Sequence, residues 1–245
     1  MAARTLLHPA VLLFLFLAMM GAAVPTSLST DDEIRAGHSL LVLFRNSTGF
    51  AETHESKGIE AYLTQVGKKV AQNASRKLPY NFHLDLHPGF RSAVAYPGGT
   101  ILVGGGALAL MQHEDELAVV LGHEIAHVDL NQCAERVIES MKRNHLGPQQ
   151  LDKLSIEDFG APYGKEGELA ADREGLKLAV QAGYSPHAAI ELLEVYQFLS
   201  RETPPSPPRP DAPSLEERIR QAKQEIKSEG WPESKPEKPL TLALQ

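Results

Sequence analysis

Two histidines four residues apart, with a glutamate directly after the first, form the most chemically specific pattern in the chain: His123-Glu124-Ile125-Ala126-His127. On a helix, residues i and i+4 lie one turn apart on one face, so both imidazoles can point at a single ion. Zinc suits imidazole nitrogen and accepts a tetrahedral set with one position left for water. Glu124 sits beside the first ligand, within reach of that water's proton without being a ligand itself, which is the task of a general base. Leu117, Val119, Val120, Leu121, Ile125, Ala126 and Val128 make the helix mostly apolar around the pattern, so the histidines are expected to be buried. Two imidazoles and a carboxylate buried together without a cation would be costly. A helix carrying two histidines and an acid by chance would leave that cost unexplained.

Catalytic zinc usually takes three protein ligands plus water, so a third is needed. Downstream candidates are Asp129, Glu135, Glu139, His145, Glu157, Asp158, Glu168, Asp172 and Glu174. Glu168 is preferred, because it opens Glu168-Leu169-Ala170-Ala171-Asp172-Arg173-Glu174-Gly175, in which Glu168, Asp172 and Gly175 share one helical face. Ala171 and Gly175 are small enough to let this helix approach the motif helix closely. Asp172, one turn beyond Glu168, is placed to accept a hydrogen bond from a ligand imidazole and fix its tautomer. A surface helix with its acids facing water is the competing reading; the neighbouring zinc pattern weighs against it.

These groups need elements to hold them. Asp31 and Asp32 open a helix predicted to run toward Phe44, and Ile59, Tyr62, Leu63, Val66 and Val70 fall on one stripe of a second over Lys57 to Ser75. Phe82 to His87 alternates as a half-buried strand, with His83 and His87 on its solvated face. Pro97-Gly98-Gly99 marks a turn and Thr100 to Val103 a short strand, which could align an extended substrate. The motif helix is predicted from about Glu116 to about Met141. Further helices are predicted from about Gly167 to Gln181 and from Pro186 to about Ser200. A last one, opened by the capping box Ser214-Leu215-Glu216-Glu217, is predicted to reach about Ser228. Thr203 to Pro213 holds six prolines and reads as an irregular loop.

The 245 residues are 42% hydrophobic and 22% charged, enough for a core without disulfides, and the one cysteine, Cys133, can form none within the chain. A net charge of -7 with no long basic run argues against nucleic acid as a partner. Arg4, the apolar Ala10 to Met20 and the small Gly21, Ala22 and Ala23 have the pattern of a signal peptide over residues 1–23. The apolar run falls short of the ~20 residues of a comfortable span, so the mature protein is expected to be exported and soluble, periplasmic or extracellular. An uncleaved N-terminal membrane anchor is the rival reading. Residues 24–230 are then one zinc metallopeptidase domain, with its motif-bearing core at about 58–218, and 231–245 a weakly ordered tail.

At this point the chain resembles metallopeptidase family forty-eight over roughly Gly58 to Arg218. The resemblance rests on Ala95-Tyr96-Pro97-Gly98-Gly99, Glu114-Asp115-Glu116-Leu117-Ala118, the zinc pattern, Glu168 to Asp172, and Ala182-Gly183-Tyr184-Ser185-Pro186. It implies a mainly helical α+β, zincin-like (gluzincin) domain with a small antiparallel sheet beside the active-site helix. It also implies one Zn2+ per chain on His123, His127 and Glu168, with Glu124 as catalytic base. Where many members carry a His-Pro pair followed by an Arg, this chain has Ala212-Pro213 with Arg218 retained. The membrane helices of some members and the repeat domain of others have no counterpart, so a minimal exported peptidase is expected. The function that follows is endopeptidase action on unfolded or misfolded polypeptides, in envelope quality control. A chaperone-like protein that binds such polypeptides with little turnover is the alternative.

Overall fold

The structure, a computed structural model, describes residues 25–48, 53–87, 90–202, 210–232 and 238–240. The signal-peptide pattern and most of the proline-rich loop lie outside the described residues. Among the described residues the helices and strands follow in the order α1 (Thr30–Thr48), α2 (His54–Ala71), β1 (Asn81–Asp85), β2 (Ala93–Tyr96), β3 (Thr100–Gly104), α3 (Gly105–Leu108), α4 (Glu114–Asp129), α5 (Gln132–Arg143), α6 (Lys165–Gln181), α7 (His187–Glu202) and α8 (Leu215–Glu229). Among the described residues no helix is long and apolar enough to cross a membrane.

The stripe expected on α2 is buried: Ile59, Leu63, Val66 and Val70 pack with Leu117, Leu121, Ile125 and Val128 of α4 and with Phe82, Ile101 and Val103 of the sheet. α4 is therefore the central helix, apolar on most sides because it is surrounded. Its first turn is held by its own acids. Glu116 accepts from the backbone N–H groups of Gln112 and His113, Asp115 accepts from that of Ser185 at 2.7 Å, and Glu114 accepts from the Tyr62 and Tyr184 hydroxyls and pairs with Lys238. Carboxylates here serve free N–H donors and the positive end of the helix dipole together. Residues 238–240 join in, since the Glu114 N–H donates to Lys238 O and the Leu240 N–H to Gln112 O, each at 2.9 Å.

Two sequence expectations need correction. The motif helix was expected to continue to about Met141, yet it stops at Asp129 and α5 starts at Gln132 in a new direction. Asn131 sits at a left-handed φ of 62°, a conformation Asn tolerates better than most residues, and it breaks the helix. The sheet is mixed, not antiparallel: β3 is central, parallel to β1 and antiparallel to β2. β2 and β3 are joined through Pro97-Gly98-Gly99, where Gly98 and Gly99 take φ of 73° and 92° that a side chain would resist. The two faces of this sheet carry separate clusters. Ala95, Ile101 and Val103 face α2 and α4, while Tyr96 and Leu102 face α1 and α5.

The capping box predicted for the last helix is formed, with Ser214 Oγ accepting from the Glu217 N–H at 3.2 Å and Glu217 returning the bond to the Ser214 N–H at 3.1 Å. This cap fixes where α8 begins and so where Arg218 points.

Candidate active site

α4 and α6 pack more extensively than any other two helices. They touch at Gly122 and Gly175, where a Cβ on Gly175 would sit 2.5 Å from the His123 nitrogen and one on Gly122 would sit 2.4 Å from the Gly175 oxygen. Backbone meets backbone here, so both residues must lack a side chain. The close approach sets Glu168 and Asp172 of α6 opposite His123 and His127 of α4.

The convergence is tight. His123 Nε2 lies 3.0 Å from His127 Nε2 and 3.5 Å from Glu168 Oε2. Atoms of His123, His127 and Glu168 fall within 4.8 Å of one another, the arrangement of a group that could hold a metal ion. The outer nitrogens are engaged elsewhere. His127 Nδ1 is 2.5 Å from Gln132 Oε1, and His123 Nδ1 is 2.9 Å from Asp172 Oδ1, off the ideal N–H direction but at contact distance. Assigned from these acceptors, both Nδ1 atoms carry the proton and both Nε2 atoms offer lone pairs to the same point. Lone pairs from two imidazoles and a carboxylate repel unless a cation lies among them, so the donor set fits zinc.

Electrostatics agree. Burial works against charging His123, but Asp172 and Glu168 outweigh it and push the imidazole up to about 10. Burial and the neighbouring His123 push His127 down to about 3. Despite burial, Arg218 and His123 hold Asp172 well below the usual carboxylate range, and His123 takes Glu168 down to about 2. The cluster thus calls for positive charge at its centre. Three carboxylates, Glu124, Glu168 and Asp172, gather here and the fixed cation of Arg218 pairs with one of them, so a divalent ion would offset much of the remaining negative charge. Glu124 itself is 7% exposed, and burial pushes it up to about 7 against the pull of His123 and of the Ala95 N–H.

The structure thus brings together all five residues singled out from sequence: His123, Glu124, His127, Glu168 and Asp172. The rejected candidates lie elsewhere. Asp129 caps the backbone of Ser75 and Arg76, and Asp158 pairs with Arg143 and Ser140. His83 sits at 2.8 Å from Asn81 Oδ1 and 3.7 Å from Glu60, and His87 is exposed. Neither belongs to a group of three possible ligands among the described residues.

Three supporting residues had no role at the site in the sequence reading, although Arg218 was noted there as the retained Arg. Arg218 of α8 clamps Asp172 through two bonds, from Nε at 2.7 Å and from Nη2 at 2.5 Å. Tyr163 stacks on the His127 ring with centroids 4.3 Å apart, and its backbone N–H donates to Glu168 Oε1 at 2.8 Å. Gln132 accepts from His127 and donates to the Gly167 carbonyl at 3.3 Å, so one amide ties the second histidine to the start of α6. In an unbroken helix Gln132 would stand about 140° around the axis from His127. The break at Asn131 swings it back, and no spacing rule signals that. Replacing Gln132 with Leu is expected to weaken zinc binding by about 10–100-fold, measured by competition with a chelating dye, while Gln132→Glu retains most of it. A Leu variant that binds zinc like the parent would remove Gln132 from this role.

A cleft of about 1140 Å³ opens over these groups and is lined by His123, Glu124, His127, Glu168, Arg218, Tyr196 and the whole of β2. The substrate strand expected at Thr100 to Val103 is misplaced, because β3 is paired on both sides. Among the described residues β1 and β2 are the two edge strands, and β2 is the one that lines the cleft. Ala212, in the position where many family members carry histidine, presents only a methyl group to the cleft.

Residues 59–147 match the model described as Peptidase family M48, a segment that contains His123, Glu124 and His127 and ends before Glu168. The chain is 33% identical to the mitochondrial metalloendopeptidase OMA1 of Schizosaccharomyces pombe over 54% of its own length and 42% of the relative's. It is 25% identical to the beta-barrel assembly-enhancing protease of Escherichia coli O157:H7 over 71% of its length and 39% of the relative's. A Yersinia pestis protein of the same description is 26% identical over 74% of this chain and 41% of that one. The chain therefore spans less than half the length of these curated relatives. The resemblance to family forty-eight seen in the sequence is borne out by the match over residues 59–147 and by these relatives.

Proposed function

Proceeding from this family relation, we propose that the chain is a zinc-dependent endopeptidase that cleaves unfolded or misfolded polypeptides outside the cytoplasm, in envelope quality control. One observation carries the reading: two imidazoles, a carboxylate and a separate buried Glu124 meet on the floor of a cleft bordered by β2, an edge strand of the sheet. His123, His127 and Glu168 would hold the ion. Bound there, zinc would supply Lewis acidity, polarising the scissile carbonyl and lowering the pKa of a coordinated water. Glu124 takes the proton of the attacking water and later delivers it to the leaving amine, so one carboxylate serves first as base and then as acid. Asp172, locked by Arg218, keeps His123 turned so that its Nε2 faces the centre.

β2 supports the choice of substrate. An extended chain can add to its free edge by main-chain hydrogen bonds, a mode open to unfolded segments and closed to folded ones. Export is supported by the leader-like residues 1–23, and the quality-control setting by relatives named for enhancing β-barrel assembly. Purified protein incubated with casein is expected to cleave it at internal bonds. Activity should vanish with a strong chelator and return with zinc; cleavage indifferent to the chelator would overturn the proposal.

A further inference from the structure

The cleft continues beyond the catalytic groups along the face of β2 that looks away from α4. Val94 and Tyr96 point to that face, Ala93 and Ala95 to the other. Beside Val94, Phe44 of α1 and Phe90 from the segment before β2 lie with ring centroids 5.5 Å apart, and both line the cleft. Phe159 extends the same apolar wall, packed edge-on to Tyr96 at 6.3 Å. Phe44 and Phe90 are only half-buried, so part of each ring faces the open volume.

Backbone geometry says how a substrate would meet this wall. The Ala95 N–H points away from β3 toward Glu124. In an antiparallel pair the outward-pointing residues alternate, so the main-chain groups of Ala93, two residues earlier, also face the free edge. A peptide pairing at Ala93 sends alternate side chains to opposite faces. Those on the Val94 face run along the side of the sheet that Phe44 and Phe90 cover, within the same cleft as the catalytic groups.

We infer that Phe44 and Phe90 form a subsite that selects a large apolar side chain, aromatic or branched aliphatic, at one fixed position relative to the cleaved bond. This rests on the peptidase reading above and adds a substrate class to it. Exposed residues of that class mark unfolded polypeptide, because folding buries them. The subsite would therefore make recognition of a misfolded chain depend on side chains as well as on extended backbone.

The test is a digest of a diverse peptide library, with cleavage sites read by mass spectrometry. The native protein should enrich Phe, Tyr, Leu or Ile at a single position. Phe44→Asp should remove that enrichment and favour Lys or Arg there, and Phe90→Ala, a milder change, should flatten it. Loss of the subsite should lower kcat/KM for the best native peptide by about tenfold, a size typical of one apolar pocket contact. In a second arm, Glu124→Gln protein should bind that peptide about tenfold more tightly than a copy with Asp at the selected position. A cleaving enzyme with a flat profile, or one unchanged by either substitution, would overturn the subsite alone. Selective binding by a protein that cleaves nothing would leave the subsite standing and sink the peptidase reading.

Discussion

Glu124→Gln is expected to lower turnover of casein by about 10³-fold or more while one zinc ion per chain remains bound. The substitution keeps shape and hydrogen-bonding capacity, since an amide oxygen can still accept from the Ala95 N–H. What it removes is the ability to take a proton. Of the three carboxylates gathered around the histidines, Glu124 is the one with neither a cation clamp nor a place in the ligand group: Asp172 is bound by Arg218, and Glu168 belongs with the two histidines. A loss of activity with zinc retained therefore isolates proton transfer from metal binding. Atomic absorption on the same samples used for kinetics decides the matter. Cleavage that persists in the variant would refute Glu124 as base, and loss of zinc with activity would make it a ligand.

Most of the site was legible because it is written in helical periodicity. His123 and His127 share a face by spacing, as do Glu168, Asp172 and Gly175, and the small residues hinted that the two faces would touch. What spacing could not reach was anything across a break or between distant segments. Gln132 and Tyr163 lie after the end of α4 and before the start of α6, and their roles depend on loop paths that no period describes. Arg218 was visible as a family residue, but its partner Asp172 is 46 positions away. The same limit explains the sheet. A short apolar run gives a strand without its neighbours, so Thr100 to Val103 read as an available edge although β1 and β2 flank it. β2 itself, four residues with Ala93 and Ala95 on one face, is too short and too poor in β-branched residues to announce itself.

Gly175→Ala should be damaging out of proportion to its single added methyl, and it separates folding from metal binding. Two effects compete. Alanine is favoured over glycine inside a helix by about 1 kcal/mol, which alone would stabilise α6. Against it, the new Cβ would lie 2.5 Å from the His123 nitrogen, 2.6 Å from the Gly122 carbon and 2.6 Å from the His123 Cα. These are backbone atoms of a buried helix, with no flexible side chain to move aside, so α6 must back away from α4. Overpacking of this kind costs about 1–3 kcal/mol or more, and the clash outweighs the propensity gain. The same retreat carries Glu168 and Asp172, two turns and one turn earlier on α6, away from the histidines. Zinc affinity should fall by about 10–100-fold as the ligand and the orienting carboxylate lose register. Urea unfolding of zinc-free protein and zinc titration of folded protein measure the two losses independently. The control is Gly183→Ala, just past the end of α6, where a Cβ meets nothing and only the left-handed φ of 83° is strained. That variant should lose stability with zinc affinity intact. If Gly175→Ala behaves the same way, the contact at Gly122 and Gly175 does not set the geometry of the metal site.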